Sequence, residues 1–324
     1  MKKLSGLIYK HMVKALGKAL YRKDMPRYRS GTPLAPDASA DLNVIIWGDP
    51  QISLLSPLRA ARVCCAIRDI RKARGKYDAL ILAGDITEYG AECEYKMTSA
   101  LLGRVADKFD AVLAVPGNHD IRLRRYAKQV ARFNAFMDSV KGGVHSDGTS
   151  YYHTCDISGY RFIMLGADKT AFEGSYLSEQ TLLHLDADIA AADKSKPVFV
   201  INHQPLKHTN GLPMTFLGKG KWRGSVGNQS DALRAVFEKH SQVVYLTGHL
   251  HYCTSRYTYE NCGSFYAVSA PTVGVINHAM EDVFTQGLVM SVKGSTVRFR
   301  ARVFGEGRYF DASLPGAKIE IDLG

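Results

Sequence analysis

The chain has 324 residues, 46% of them hydrophobic and 23% charged, with a formal net charge of +11. That length allows one large domain or two ordinary ones with a sizeable core. No stretch approaches the roughly 18 apolar residues that a membrane-spanning helix needs. The positive excess points to anionic partners (phosphorylated substrates, nucleic acid or an acidic membrane surface) or to no more than a solvated basic surface.

Residues 1–23 read MKKLSGLIYKHMVKALGKALYRK. Lys10, Lys14 and Lys18 interrupt any apolar core, which argues against a secretory signal. On a helical wheel, Lys3, Lys10, Lys14 and Lys18 cluster opposite a broad face of Leu4, Ile8, Met12, Val13, Leu16 and Leu20. Two readings of this basic amphipathic helix over 1–22 stay open: a reversible anchor on an anionic membrane surface, or a helix packed on its own domain. Residues 22–42, with Pro, Gly, Ser and charge, read as a linker. The expected division is therefore 1–42 as helix and linker, 43–303 as the functional domain and 304–324 as a C-terminal tail.

A regular alternation follows. Strands are expected at 43–48 (NVIIWG), 77–84 (YDALILAG) and 110–117 (DAVLAVPG), with helices at 58–74 and 92–109 between them. Apolar strands separated by helix-length segments imply βαβ units and a parallel sheet covered on both faces. TSYYHTCDI and YRFIMLGA then read as an antiparallel pair turning at Ser158 and Gly159. A helix at 178–192, a strand at 197–202, a helix at 231–239 and a strand at 242–248 come next. The end is strand-rich: SRYTYE, SFYAVSA, GLVMSVK and TVRFRARVF. The six cysteines, Cys64, Cys65, Cys93, Cys155, Cys253 and Cys262, show no CxxC spacing. Reduced thiols in a cytoplasmic protein are expected, with a Cys253–Cys262 pair across a hairpin as the alternative.

Polar residues stand where the apolar strands give out. Asp49 and Gln51 follow the first strand, Asp85 the second, and Asn118, His119 and Asp120 the third; His203 comes after VIN, and His249 and His251 lie in TGHLH. In open α/β sheets ligands bind at the carboxyl ends of strands. One Asp in such a place reads as a turn or a cap. Five such ends supplying Asp, Asn, Gln and His form a metal-ligand inventory.

The order D-x-Q, G-D, G-N-H-D, H and G-H-x-H, over roughly residues 43–303, resembles the calcineurin-like metallophosphoesterases. The resemblance implies an α/β fold, a four-layer αββα sandwich of two mixed β-sheets flanked by helices. It also implies two divalent metal ions bridged by Asp85. One would be held by Asp49, Gln51 and His251, the other by Asn118, His203 and His249, with a bridging hydroxide as nucleophile. His119 would face the scissile phosphate as general acid or transition-state stabiliser, oriented by Asp120. Most of the family has D-x-H at the first motif. The D-x-Q seen here is similar to manganese-dependent ADP-ribose/CDP-alcohol diphosphatases. An amide oxygen is a harder donor than imidazole, so Mn²⁺ is the expected ion, with Mg²⁺, Fe and Zn²⁺ as alternatives. Glu88 stands where purple acid phosphatases carry Tyr, and the D-R-G of the protein phosphatases is absent.

The segment 204–231 is long, Gly-rich and basic and lies between two ligand motifs. Loops of this length in compact domains are usually functional or disordered. Lys207, His208, Lys219, Trp222 and Arg223 are candidates to grip a phosphate and stack on a base or sugar. The expected partner is a small phosphorylated substrate, a phosphodiester or nucleotide-like diphosphate. Nucleic acid is not expected, because little sequence is left for the added domain of the fold's DNA-repair nucleases. The alternatives are a phosphomonoesterase, a non-catalytic scaffold on a degenerate phosphoesterase fold, and a peripheral enzyme of lipid head groups. Oligomeric state is left open.

Overall fold

The computed structural model describes residues 31–146, 148–211, 224–275 and 285–324. The basic helix expected over 1–22, and Lys219, Trp222 and Arg223 of the long loop, lie outside the described residues. The strands among the described residues are β1 (Leu42–Trp47), β2 (Tyr77–Ala83), β3 (Phe109–Val115), β4 (Gly143–Val144), β5 (His153–Ile157), β6 (Tyr160–Met164) and β7 (Val198–Ile201). They continue as β8 (Val243–Thr247), β9 (Tyr259–Asn261), β10 (Tyr266–Ser269), β11 (Gln286–Lys293), β12 (Thr296–Val303), β13 (Arg308–Tyr309) and β14 (Lys318–Asp322). The helices are α1 (Pro57–Arg71), α2 (Glu92–Leu102), α3 (Asn118–Ile121), α4 (Tyr126–Ser139), α5 (Glu179–Ala190) and α6 (Ser230–Phe237).

These strands make two mixed sheets. The first runs β13-β12-β11-β1-β2-β3-β4 with β14 on β12, and the second runs β5-β6-β7-β8-β10-β9. Side chains alternate across each strand. Val44 and Ile46 therefore point to the second sheet and pack with Phe162, Phe199, Val244 and Leu246, while Ile45 and Trp47 point outward and pack with Val63, Ile67 and Phe304. Outside the second sheet, Val200, Val243 and Tyr245 pack against Leu185 and Ile189 of α5 and Leu233 and Phe237 of α6. The central strands β1, β2, β7 and β8 are buried on both faces, which is why they read as continuous apolar runs. The result is the four-layer αββα sandwich.

Three boundaries differ from expectation. The helix expected over 92–109 stops at Leu102, where Gly103 follows, and resumes as a short turn at Ala106–Lys108. Of SRYTYE only its last two residues enter β9. Residues 304–324 are not a tail: β13 and β14 both pair with β12, and Ala317, Ile319 and Ile321 alternate with exposed Lys318, Glu320 and Asp322. Residues of the expected linker also dock, with Leu34 fully buried and its carbonyl accepting from Arg74 N at 2.8 Å. All six cysteines are free. A buried ion pair, Arg302 with Asp69 at 2.6 and 2.9 Å, ties β12 to α1. No helix among the described residues is long and apolar enough to cross a membrane.

Candidate metal centre

Strands β1, β2 and β3 are parallel neighbours, so their carboxyl ends lie side by side and carry Asp49, Gln51, Asp85 and Asn118. In the second sheet β7 and β8 are parallel neighbours and carry His203, His249 and His251 just past their ends. The two sets meet across the sheet–sheet junction. His249 N donates to both Asp49 carboxylate oxygens at 3.1 Å. His203 Nδ1 lies 2.8 Å from the Ala83 carbonyl. That acceptor places the proton on Nδ1 and leaves Nε2 with a lone pair, the tautomer of a metal ligand. Nε2 of His203 is 3.3 Å from Asp85 Oδ1 and 3.2 Å from His249 Nδ1. His251 Nε2 is 3.2 Å from Asp49 Oδ1.

Two groups of donors come together. Ligand atoms of Asp85, His203 and His249 lie within 4.8 Å of one another, and so do those of Asp49, Asp85 and His251. Asp85 belongs to both. Its Oδ2 and the Gln51 Oε1 are buried with no hydrogen-bond partner among the described residues. A buried polar atom left unsatisfied costs about 1–3 kcal/mol, and a cation removes that penalty. The site thus fits divalent metal on its donors and on its unsatisfied atoms.

The backbone is bent to aim these side chains. Of the nine non-glycine residues with positive φ among the described residues, five are Asp49 (47°), Gln51 (41°), Asp85 (44°), His249 (68°) and His251 (51°). Such conformations cost of order 1–3 kcal/mol each and cluster at functional sites. Glycines make the approach possible. Gly84 has φ +87°, and a Cβ there would overlap the His203 ring; one at Gly117 would overlap the Asp85 carboxylate.

His119 lies at the edge of this set. Its Nε2 is 3.9 Å from Asp85 Oδ2, and its backbone N donates to Asp85 Oδ1 at 2.9 Å. Asp120, expected to orient it, does not touch its ring. Asp120 accepts from Ile86 N, Thr87 N, the Thr87 hydroxyl, Gly117 N and the Tyr95 hydroxyl, between 2.7 and 3.3 Å. It fastens the G-N-H-D turn to the G-D turn. Burial and the Asp85 charge push its carboxyl up to about 6, and the N–H donors hold it from rising further.

The group on the His119 ring is Glu88, whose Oε1 lies 3.1 Å from Nδ1. The Glu88 Oε2 accepts from Gln51 Nε2 at 3.0 Å and pairs with Arg59. Burial raises the Glu88 carboxyl, but the His119 and Arg59 hydrogen bonds overcome it and hold it at about 2. Burial lowers the His119 imidazole, and the hydrogen bond to Glu88 and the Asp85 charge reverse that and raise it. Arg122 works the other way, with its guanidinium 2.9 Å from the same Nδ1. Glu88, Arg59 and Arg122 have no individual role in the sequence reading; Glu88 stands out only as the residue three past Asp85 where purple acid phosphatases carry Tyr.

Asn118 Nδ2 donates to the Phe172 carbonyl at 3.2 Å, and Gln204, next to His203, reaches Asn118 Oδ1 at 3.4 Å. Of the expected substrate-binding residues, Lys207 Nζ lies 3.8 Å from Asp231 on α6, and His208 is exposed with φ 61°.

The family model described as calcineurin-like phosphoesterase matches residues 42–253. A probable cyclic nucleotide phosphodiesterase of Rhodococcus erythropolis is 25% identical over 179 residues, 55% of this chain and 52% of that protein. The glycerophosphodiester phosphodiesterase GpdQ of Enterobacter lignolyticus is 25% identical over 141 residues, 43% of this chain and 46% of that protein. The matched region thus spans about half the length of these curated relatives. In fold, the chain is similar to the purple acid phosphatase PPD1 of yellow lupin, with a TM-score of 0.60 at 13% identity over 87% of this chain and 53% of that one.

Proposed function

The chain belongs to the calcineurin-like phosphoesterase family, and on that premise we propose that it hydrolyses small phosphodiesters or nucleotide-like diphosphates at a dinuclear divalent-metal centre. The observation that carries this reading is the membership of Asp85 in both donor groups, since one carboxylate within reach of both sites can hold two like charges close together. Asp49, Gln51 and His251 would hold one ion, and Asn118, His203 and His249 the other, with Asp85 between. The Gln51 carbonyl favours Mn²⁺ or Mg²⁺ over Zn²⁺ at its site. When bound, such ions supply positive charge to the phosphoryl oxygens and a nucleophile at neutral pH.

His119 acts on the other side of the reaction. With Glu88 stabilising its cation, the imidazole donates a proton to the leaving oxygen, or offers it a positive contact. Glu88 holds the His119 ring and the Gln51 amide at once, so it positions both. Asp120 keeps the two ligand turns in register.

The two relatives are a probable cyclic nucleotide phosphodiesterase and a glycerophosphodiester phosphodiesterase, which supports diester chemistry over the phosphomonoester reading. The intact donor set supports an enzyme over a non-catalytic scaffold. The test is turnover of a panel of phosphomonoesters, phosphodiesters and nucleoside diphosphate compounds by the Mn²⁺-loaded protein. The highest kcat/KM should fall on a diester or a diphosphate. Turnover of monoesters alone would sink the substrate assignment, and a purified protein that takes up no divalent metal would sink the reading as a whole.

A further inference from the structure

Phe172 stands out among the exposed side chains. It is 72% exposed, yet it sits on a loop tied down by hydrogen bonds at its base and at its tip. At the base of the loop, Asp168 N donates to the Tyr176 carbonyl at 2.8 Å, and Ser178 N donates to Asp168 Oδ2 at 2.6 Å. At its tip, Asn118 Nδ2 reaches the Phe172 carbonyl at 3.2 Å, and Gln204 Nε2 reaches the carbonyls of Glu173 and Gly174 at 3.3 Å each. The tip is thus fastened to Asn118 and to the neighbour of His203, both in the candidate metal centre. The ring centre lies 5.4 Å from the Arg122 guanidinium, whose Nη2 is 2.9 Å from His119 Nδ1.

Within the fold the exposed ring makes a cation–π contact with Arg122, a modest gain at an exposed site. Burying the ring would contribute the usual area-proportional stabilisation, which the fold forgoes at this position. Single exposed apolar residues need no explanation in general. This one is tied by its own carbonyl to a candidate metal ligand and is one guanidinium away from the group expected to act on the leaving oxygen. Arg122 lies 3.7 Å from Glu173 and 3.8 Å from Glu88. Arg122 lies over one face of the ring and is itself paired with these carboxylates, and at 72% exposure the ring still offers surface to a ligand.

Resting on the phosphoesterase reading above, we infer that Phe172 is a stacking platform for a planar group of the substrate, which makes the preferred substrate class nucleoside-bearing phosphates rather than aliphatic ones. Every nucleobase has a π-face, so stacking on an aromatic ring is tolerant of base identity. Specificity of this kind separates a nucleotide from a glycerol phosphate without choosing among bases.

The test is equilibrium binding to the Mn²⁺-loaded protein of two probes, adenosine 5′-monophosphate and glycerol 3-phosphate, with metal content measured for each variant. Phe172→Ala and Phe172→Leu should weaken adenosine monophosphate by about tenfold, about 1.4 kcal/mol, and change glycerol 3-phosphate by less than about twofold. Phe172→Trp should bind adenosine monophosphate as the wild type does. The inference is overturned if Phe172→Ala leaves adenosine monophosphate binding unchanged, if it weakens both probes equally, if Phe172→Leu binds like wild type, or if the wild type binds the two probes alike. Because binding is read without turnover, a protein that stacks adenosine on Phe172 and hydrolyses nothing would overturn the proposed function and leave this inference standing.

Discussion

The Gln51 amide donates to the Glu88 carboxylate at 3.0 Å, which leaves its carbonyl oxygen buried with no hydrogen-bond partner among the described residues. The loops bearing the two residues are zipped together by Gln51 N on the Asp85 carbonyl at 2.7 Å and Glu88 N on the Ile52 carbonyl at 3.0 Å. In the function proposed above, that carbonyl would be the oxygen donor to a hard cation.

Replacing that oxygen should change which ion the site prefers. Gln51→His introduces imidazole, and the ratio of zinc to manganese affinity should rise by at least about tenfold, on the order of 1.4 kcal/mol. Gln51→Ala is the control. Competition curves for the three proteins measure the ratio, and coincident curves would show that Gln51 is not a ligand.

Glu88 should matter to metal affinity and to turnover together, since it holds Gln51 and His119 at once. His119→Ala should keep both metals and lose roughly 10²–10⁴-fold in rate, and lose less on a nitrophenyl ester, whose leaving group needs less protonation. Glu88→Ala should lose rate and also bind Mn²⁺ more weakly. Metal titration beside leaving-group kinetics separates the two variants. A Glu88→Ala protein with wild-type metal affinity would limit Glu88 to His119.

Gly84→Ala places a methyl group against the His203 ring at a residue with φ +87°. Overpacking typically costs about 1–3 kcal/mol, and the left-handed backbone adds roughly 1–2 kcal/mol. A lower Tm and weaker metal retention should appear together. An alanine variant with unchanged Tm and metal content would show that the turn has room to move.

Asp69→Ala leaves the Arg302 guanidinium buried without its carboxylate partner. Breaking a buried pair this way costs about 3–5 kcal/mol. Denaturant unfolding should show that loss while the folded fraction retains its metal, because the pair joins α1 to β12 and touches none of the candidate ligands.

The residues of the two donor groups, Asp49, Asp85, His203, His249 and His251, could be picked out in the sequence because each stands just past the end of an apolar run, and several such ends in series outweigh the turn or cap that one alone would suggest. The layers followed from the same runs. Glu88 could not be read, since its role depends on two loops zipped together by backbone hydrogen bonds that no spacing announces. The Asp120 assignment failed for a related reason. The resemblance implied that Asp120 orients His119, but its carboxylate points into the turn and meets N–H groups instead. Phe172 lies in a loop without motif or periodicity. Strand β14 was readable after all, in the alternation of Ala317, Ile319 and Ile321, but its length of five residues made it easy to take for a tail.

The membership of Asp85 in both donor groups is the centre of the account, and metal counting on Asp85→Asn tests it most directly. Wild-type protein loaded with Mn²⁺ and freed of excess should hold two equivalents by elemental analysis. Asp85→Asn, with its fold verified by circular dichroism, should hold at most one and lose most of its turnover. An Asp85→Asn protein that keeps two equivalents and normal turnover would contradict the shared carboxylate and the dinuclear centre built on it.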